Sequence, residues 1–347
     1  MRDTQNYTIE KIAPLPECDV TVPTGLNNQG QVCGYCYKFV GPGHGVSAFS
    51  HAFFWQEGSI TRLRTFGGQW GQALGINKRG DVVGYAGYER RTGLEERDLD
   101  ADYWPALWVA YDERWGPDEA PLPLSQSYGS AVSLNDNREI LGQTPDQFWS
   151  MIRGKLTPGA RPTPPLQEKE KEELLQVALN RHGSAIAYTH QPTGWVSGMT
   201  AYGHEKPWVY RNRKWSRLPL AGFSDDSEAA PTALNDSHVV VGWVRPGRSQ
   251  YRPYQWRDNR GAFLSTEEGK ALGINNKGTI VGKVYRDKSF HACLWKDGKA
   301  HDLNDLIPKN SGWTLYDALD INDKGQITGT GKLDKETLSA FLLTPKT

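Results

Sequence analysis

A short pattern recurs along this chain and constrains its fold more than any other feature. Each copy contains small and aliphatic residues, an asparagine, two further residues, usually a glycine, and then a β-branched pair and a second glycine. The clearest copies span residues 73–84, 271–282 and 318–329. Weaker copies centre on Asn27, Asn135, Asn180 and Asn235. The mean spacing of about 49 residues is typical of four-stranded propeller blades.

A second element follows each copy and completes a repeat unit. It reads His-Ala-Phe-Phe-Trp at 51–55 and His-Ala-Cys-Leu-Trp at 291–295, and a glycine turn and an alternating strand come next. Each unit therefore predicts four strands, with a tight turn between the first and second strands, a loop between the second and third, and another tight turn between the third and fourth. We expect an all-β fold, a seven-bladed β-propeller of four-stranded blades that forms a single domain over residues 1–347.

The two ends of the chain predict how this ring closes. Only four residues follow Leu343, which is too few for another outer strand, whereas residues 7–12 form an unpaired strand before the first copy. We expect residues 7–12 to complete the last blade, which would remove an exposed sheet edge.

The repeated residues themselves have structural explanations. Asparagine and glycine are typical of turns that require positive φ. Small residues before the asparagine, such as Gly25 and Gly273, suit a crowded innermost strand. His51 and His291 recur with the repeat, so we interpret them as packing or hydrogen-bonding residues rather than catalysts.

The two repeated signatures resemble the bacterial HAF-repeat family, which takes its name from the His-Ala-Phe triplet. The resemblance extends from about residue 22 to residue 343. It implies a repetitive β fold and no general activity, so it identifies no functional residues. Many members of that family are described as extracellular.

Composition excludes several classes of function. The 40 basic and 40 acidic side chains cancel, whereas nucleic-acid binding normally requires a basic excess. No apolar run approaches the roughly 20 residues of a membrane span, and the first residues lack the apolar core of a secretory signal. With only four cysteines, we expect a cytoplasmic protein that binds neither nucleic acid nor membrane.

Metal and cofactor motifs are weak. Cys33 and Cys36 form a Cys-x-x-Cys string, but it lies along a predicted strand, so the two side chains should point to opposite faces. A shared zinc ion or a disulfide between them is therefore not expected. Phosphate-binding, dinucleotide and nucleophile-elbow motifs are absent from the sequence, and we predict no metal and no cofactor.

The irregular sequence concentrates in two kinds of connection, those between the second and third strands and those between units. Both kinds lie at one face of a propeller, so we predict one asymmetric ligand pocket over the mouth of the central channel. A multivalent lectin would instead repeat its ligand residues in every unit, and no such polar repetition is present.

Candidate residues for this pocket fall into two groups. The acid–base candidates are Glu173, Asp317, Glu228 and His190. The three carboxylates could instead bind a cation or be solvated loop charge. Aromatic side chains that could stack on a ligand, or could instead anchor loops, are Trp70, Trp104, Tyr128, Trp195, Trp313 and Tyr316.

Residues 163–175 are rich in proline at their start and carry mixed charges, which predicts a short helical insertion, either a lid or a spacer. The leading hypothesis is a pocket that binds a small organic molecule and catalyses a metal-free acid–base reaction of the cyclisation, isomerisation or lyase type. The alternative is a non-catalytic propeller that binds a protein or a glycan.

Overall fold

The fold was determined as a computed structural model, and it describes most but not all of the chain. The described residues are 6–38, 49–88, 103–110, 120–126, 128–143, 148–152, 155–158, 173–190, 195–196, 199–200, 205–220, 222–224, 227–247, 249–334 and 338–346.

Nearly all regular structure in these residues is β-strand, as the alternating and β-branched sequence predicts. A single turn of 3-10 helix occupies Leu303–Asp305. In chain order the strands are β1 Tyr7–Ile12, β2 Val20–Leu26, β3 Val32–Tyr37, β4 Ser50–Gln56, β5 Ser59–Arg62, β6 Gly67–Ile76, β7 Val82–Tyr88, β8 Tyr103–Trp108, β9 Leu122–Pro123, β10 Ser130–Leu134, β11 Ile140–Gln143, β12 Phe148–Ile152, β13 Lys155–Pro158, β14 Glu173–Leu179, β15 Ala185–His190, β16 Trp195–Val196, β17 Met199–Thr200, β18 Lys206–Arg211, β19 Lys214–Arg217, β20 Glu228–Leu234, β21 Val240–Arg245, β22 Arg252–Arg257, β23 Arg260–Phe263, β24 Gly269–Ile274, β25 Ile280–Arg286, β26 Ser289–Lys296, β27 Lys299–Asp302, β28 Trp313–Ile321, β29 Ile327–Leu333 and β30 Leu338–Pro345.

The strands form antiparallel sheets in a β-propeller arrangement. Within the described residues, five four-stranded sheets are separate from one another: β10–β13; β14, β15, β18 and β19; β20–β23; β24–β27; and β1 with β28–β30. Strands β2–β9 form a sixth, eight-stranded sheet, and β16 and β17 form a small hairpin of their own.

The prediction of seven separate four-stranded blades is therefore wrong. The described chain has five such blades, and the strands of the first two repeat units share the eight-stranded sheet. Strand β6 begins early and contains an irregularity between Gly67 and Gly71, and this brings Trp70 into a parallel pairing with Ser50 of β4. That single backbone pairing joins the two units.

Closure by the amino-terminal strand is confirmed. Strand β1 pairs antiparallel with β30, from Tyr7 opposite Pro345 to Ile12 opposite Ala340. The following segment is tied to β3 by a disulfide between Cys18 and Cys36, whose Cα atoms are 5.8 Å apart. Cys33 is a buried free thiol, so it does not pair with Cys36, as strand alternation predicts.

The repeated asparagines form a hydrogen-bonded ring around the central channel. In each pair of neighbouring units, the side-chain amide of one asparagine donates to the backbone carbonyl of the next. The donors, each followed by its acceptor, are Asn27 to Asn77, Asn77 to Asn135, Asn135 to Asn180, Asn180 to Asn235, Asn235 to Asn275, Asn275 to Asn322 and Asn322 to Asn27.

The prediction that both asparagine and glycine adopt positive φ in these turns is only half right. Positive φ occurs at the glycine position, for example 84° at Gly30, and in two units at Arg138 and His238 instead. The asparagines do not adopt it. The Asn27 side-chain oxygen instead accepts bonds from the backbone N–H groups of Gln29 and Gln31, and this holds the turn.

Small residues do line the crowded inner strands, as predicted. A Cβ atom on Gly25 would lie 3.1 Å from Ile76 of the next unit, and one on Gly273 would lie 3.1 Å from the Cα atom of Asp320. Such contacts allow little room for a side chain, so glycine lets adjacent inner strands approach closely.

The expected helix over 163–175 is not supported where it can be compared with the structure. Residues 173–175 are the first three residues of strand β14. They pair with β15 in the same ladder that continues to Leu179. The remainder of that prediction, residues 163–172, lies outside the described residues.

Candidate functional site

The hairpin end of the channel is repetitive and largely internally satisfied. A cavity of about 210 Å³ there is lined by the turn residues of all seven units. Its polar groups are mostly engaged with one another: beyond the asparagine ring, the Asp323 side chain accepts the backbone N–H of Asn276 at 2.8 Å, and Asn28 accepts that of Asp323 at 2.8 Å. This end therefore serves ring closure.

The opposite end of the channel varies from unit to unit, and two register positions carry the variation. One is the residue on the second strand that follows the repeated glycine, or follows alanine in the fourth unit. The other lies at the start of the third strand or next to it, two residues before the register partner of the first. In the six units where both are described, these diagonal pairs are Tyr35 with Ser50, Tyr85 with Tyr103, Tyr188 with Glu205, Trp243 with Tyr251, Lys283 with Phe290 and Thr330 with Leu338.

Both positions of a pair lie on the same face of their sheet. The ring centroids of Tyr85 and Tyr103 are 4.2 Å apart, and those of Trp243 and Tyr251 are 4.8 Å apart. This face meets the innermost strand of the next unit, because the Lys270 ammonium on β24 lies 4.6 Å from the Trp243 ring and 4.4 Å from the Tyr251 ring. The pairs therefore border the channel mouth.

The fourth unit carries a carboxyl group where three other units carry an aromatic ring. Burial, and after it the nearby Glu228 carboxylate, raise the pKa of Glu205 to about 7, although the positive charges of Lys270 and Arg245 oppose this rise. Burial also raises the pKa of the neighbouring Tyr188, and the charge of Glu205 adds to that effect. Glu205 is therefore a carboxyl that exchanges its proton near neutral pH.

Glu228 and Arg245 form a partly buried ion pair beside Glu205. They are opposite residues of β20 and β21, and the Arg245 guanidinium lies 3.2 Å from the Glu228 carboxylate. The same guanidinium lies over the Tyr251 ring, with its central carbon 5.3 Å from the centroid. Arg245 is therefore held by both the Glu228 carboxylate and the Tyr251 ring, and the two charges of the ion pair keep fixed positions next to Glu205.

In the next unit, the residue equivalent to Lys270 is Asp317, and its charge is neutralised by an ion pair. Asp317 on β28 occupies the register position that Lys270 holds on β24, and it forms a 2.6 Å ion pair with Lys283 of the preceding unit. Thr330 also donates to the Asp317 carboxylate at 3.1 Å. In the fifth unit, Ala230 holds this position and places only a methyl group beside the Tyr188 and Glu205 pair.

A group of tyrosines lies on the other side of the ring, in the first three units. The hydroxyl groups of Tyr103 and Tyr128 are 2.6 Å apart, and their rings lie 4.5 Å from each other. Burial raises the pKa of Tyr85, and the neighbouring Tyr35 and Tyr128 raise it further. Burial also raises the pKa of Tyr35 and Tyr103. Phenol groups such as these can donate or accept hydrogen bonds.

Two of the four predicted acid–base residues belong to the charged group of the mouth, which consists of Glu205, Glu228, Arg245, Lys270, Lys283 and Asp317. Glu228 is buried against Arg245 and near Glu205, and Asp317 is paired with Lys283. The other two, Glu173 and His190, are opposite each other at the ends of β14 and β15, and their side chains lie outside the described residues. Glu173 and Glu228 occupy the same register position in successive units.

The six predicted aromatic residues are dispersed. Tyr128 belongs to the tyrosine group, whereas Trp104 stacks on Tyr88 at 4.5 Å, one position away from the mouth-facing Tyr103. A one-residue offset turns a side chain to the other face of its sheet.

The other four aromatics do not join that group. Trp313 meets Phe341 edge-on at 6.0 Å and packs against the core of the last unit. Trp70 is half-buried in β6, Tyr316 is half-buried at an irregularity of β28, and the Trp195 side chain lies outside the described residues.

Sequence reasoning missed Glu205, Lys270, Arg245, Tyr188 and Trp243. A usable signal existed for two of them, because Trp243 follows the repeated glycine and Tyr188 follows the alanine at the same position of its unit, where side chains differ between units. The others have no local signal, because Glu205, Arg245 and Lys270 come from three different units.

The repeated histidines make structural contacts. His291 Nδ1 lies 2.7 Å from the Asp302 carboxylate, and His51 Nε2 lies 3.7 Å from that of Glu17. Over the part of the chain that the structure describes, no three His, Cys, Asp or Glu side chains are grouped as a metal site would require. In the same residues, no helix is long and apolar enough to cross a membrane.

Comparison with solved structures finds distant likenesses. An unknown-function protein from Dyadobacter fermentans DSM 18053 aligns at 12% identity over 97% of this chain and 99% of its own, with a TM-score of 0.47. A PL25 ulvan lyase aligns at 12% identity over 96% of each chain, with a TM-score of 0.49. Trypanosoma rangeli sialidase aligns at 9% identity over 99% of this chain and 58% of the sialidase, with a TM-score of 0.44. Likenesses this distant carry no argument about this chain.

Comparison with curated proteins finds no match. One family model, DUF3466, described as a protein of unknown function, matches residues 45–340. That match includes most of the repeat units and the whole charged group at the mouth. The chain therefore belongs to the DUF3466 family.

Proposed function

We propose that the varied mouth of the propeller binds a small organic molecule and that Glu205 transfers a proton to or from it. The observation that carries this proposal is the setting of Glu205, a half-buried carboxyl whose pKa is raised to about 7 beside Glu228, Lys270 and Arg245. A group that titrates near the working pH is suited to general acid–base catalysis.

The surroundings of Glu205 suit a bound ligand. Trp243 and Tyr251 provide aromatic surface in the next unit, and Ala230 leaves the Tyr188 and Glu205 pair without a large covering side chain from β20. Aromatic faces with a few convergent polar groups are typical of small-molecule sites.

The reaction class that fits is proton removal from carbon, leading to isomerisation or elimination. The ionised Glu205 carboxylate accepts the proton, and the electron pair of the broken C–H bond moves into the ligand. Lys270 and Arg245 supply positive charge near the atoms where negative charge develops. Return of the proton to carbon, or departure of a leaving group from the neighbouring carbon, completes the reaction.

Solvent exchange tests this proposal without knowledge of the substrate. The protein is incubated in D₂O with a mixture of small hydroxy acids, keto acids and sugars, and NMR follows loss of C–H signals and formation of new products. We expect exchange with the wild type and a loss of at least about 100-fold in Glu205→Gln. Glu57→Gln, in a turn at the hairpin end, is the matched control.

An absence of exchange and product with the wild type would contradict the proposal. Equal rates in the wild type and Glu205→Gln would contradict it as well. Circular dichroism and thermal unfolding of both variants show that the comparison is made between folded proteins.

A further inference from the structure

The Lys270 ammonium is a half-buried positive charge at the channel mouth. It lies over the faces of Trp243 and Tyr251, on the innermost strand β24. Among the described residues, no carboxylate lies within 4.0 Å of it, whereas Lys283, directly opposite on β25, is paired with Asp317 at 2.6 Å. Aromatic faces stabilise the cation without using all of its hydrogen-bond donors.

The charges around Lys270 are already committed. The Arg245 guanidinium pairs with Glu228 at 3.2 Å, and Lys206 donates to the backbone carbonyl of Ser227 at 3.0 Å. Glu205 acts on Lys270 through space and lowers the cost of its charge, while burial and Lys283 oppose that charge. A half-buried cation with this environment is best completed by an anion.

We propose that Lys270 binds the carboxylate of an acidic small molecule, which is the substrate class of the mouth. This inference rests on the proposed function, because it assigns the ligand of that same site. The acid would lie against the Trp243 and Tyr251 rings, with its carboxylate on Lys270 and the adjacent carbon toward Glu205. Negative charge that forms when Glu205 removes a proton from that carbon would then spread onto a carboxylate already held by an ammonium.

Matched acids and amides test the assignment by calorimetry. The probes are D-glucuronate against D-glucuronamide and mandelate against mandelamide, pairs in which only the negative charge changes. We expect the wild type to bind at least one acid saturably and its amide at least tenfold more weakly. Lys270→Met should lose at least tenfold in affinity for that acid and become indifferent to the charge.

Lys309→Met is the matched control, because it removes the same charge from an exposed residue that is paired with Asp305. It should bind the acid as the wild type does. The inference is overturned if neither acid binds the wild type, if acid and amide bind alike, or if Lys270→Met retains the full affinity.

Binding and turnover separate the two proposals. Acid binding that depends on Lys270, together with no effect of Glu205→Gln on proton exchange, would uphold this inference and refute the acid–base function. Proton exchange that depends on Glu205, without any preference for acids over amides, would refute this inference alone.

Discussion

The side-chain amide of Asn322 donates a 2.9 Å hydrogen bond to the backbone carbonyl of Asn27, which closes the asparagine ring between the last repeat unit and the first. The same side chain accepts the backbone N–H groups of Lys324 and Gln326, so it holds its own turn as well. One residue therefore links local turn formation to closure of the whole propeller.

Asn322→Ala should lower the free energy of unfolding by about 2–3 kcal/mol, because several buried polar groups lose their partners together. Chemical denaturation measures the change. Asn310→Ala, at an exposed turn residue, should leave the free energy of unfolding within about 0.5 kcal/mol of the wild type. Equal stability of the two variants would show that the ring does not contribute.

A second ring lies outside the first, and it is incomplete. In five units, the residue after the asparagine accepts the backbone N–H of the equivalent residue in the preceding unit; the five acceptors are Asn28, Asp136, Asp236, Asn276 and Asp323. Lys78 and Arg181 hold the other two positions, and their side chains contain no atom that could accept such a hydrogen bond.

Lys78→Asn should raise the free energy of unfolding by about 0.5–1 kcal/mol, since it supplies an acceptor for the backbone N–H of Asn28. The exposed ion pair of Lys78 with Asp136 is lost, but such pairs contribute little. Lys78→Ala removes that ion pair without adding an acceptor and is the control. If both variants have the same stability, the proposed bond does not form.

Asp320 should make stability depend on pH. Burial raises its pKa to about 6, although its carboxylate accepts the backbone N–H groups of Leu26 and Ile321. Because the folded-state pKa exceeds the unfolded value of about 3.9, the folded protein binds the proton more tightly. The contribution is therefore present below about pH 4 and is lost as the pH rises to about 6.

The measurement is urea unfolding of the wild type and Asp320→Asn from pH 4 to pH 8. The stability of the wild type relative to the variant should fall by roughly 1–3 kcal/mol between pH 4 and pH 6 and stay constant above that. A difference that does not change with pH would contradict the raised pKa.

The proton-transfer rate of the mouth should follow the ionisation of Glu205. Its pKa is raised to about 7, so the basic form is scarce in acid and accumulates as the pH rises. The rate of C–H exchange in D₂O should fall about tenfold for each pH unit below about 6 and level off above about 8. A flat profile across this range would exclude Glu205 as the base.

The disulfide between Cys18 and Cys36 should stabilise the folded chain. It encloses a loop with a sequence separation of 18 residues, for which about 2–4 kcal/mol is expected. Reduction should lower the free energy of unfolding of the wild type by that amount and leave Cys18→Ser unchanged. In the denatured but unreduced protein, a thiol reagent should react with two of the four cysteines.

Four reactive thiols before reduction would contradict the bond. Structural disulfides are typical of proteins in oxidising compartments. The cytoplasmic location expected from the sequence stays a prediction, and the thiol count in protein taken directly from cells would test it.

The repeat unit could be predicted from the sequence in some detail. The Asn-x-x-Gly spacing fixed the position of the hairpin turns, and the unpaired strand at 7–12 indicated how the last sheet is completed. These features depend on neighbours within a few residues and on strand alternation, so they can be recognised in a sequence. The sequence did not predict that the first two units share one sheet. Their union depends on a single backbone pairing between Ser50 and Trp70, and a backbone pairing leaves no pattern of side chains in the sequence.

The candidate site was decided by tertiary structure. The sequence by itself determined that the repeat units differ from one another mainly at one end of the strands, and it indicated Glu228 and Asp317 at that end. Only the fold brought Glu205, Glu228 and Lys270 together from the fourth, fifth and sixth units and surrounded them with enough protein to raise the pKa of Glu205. Burial and charge proximity between units depend on distances in space, and a linear pattern does not record those distances.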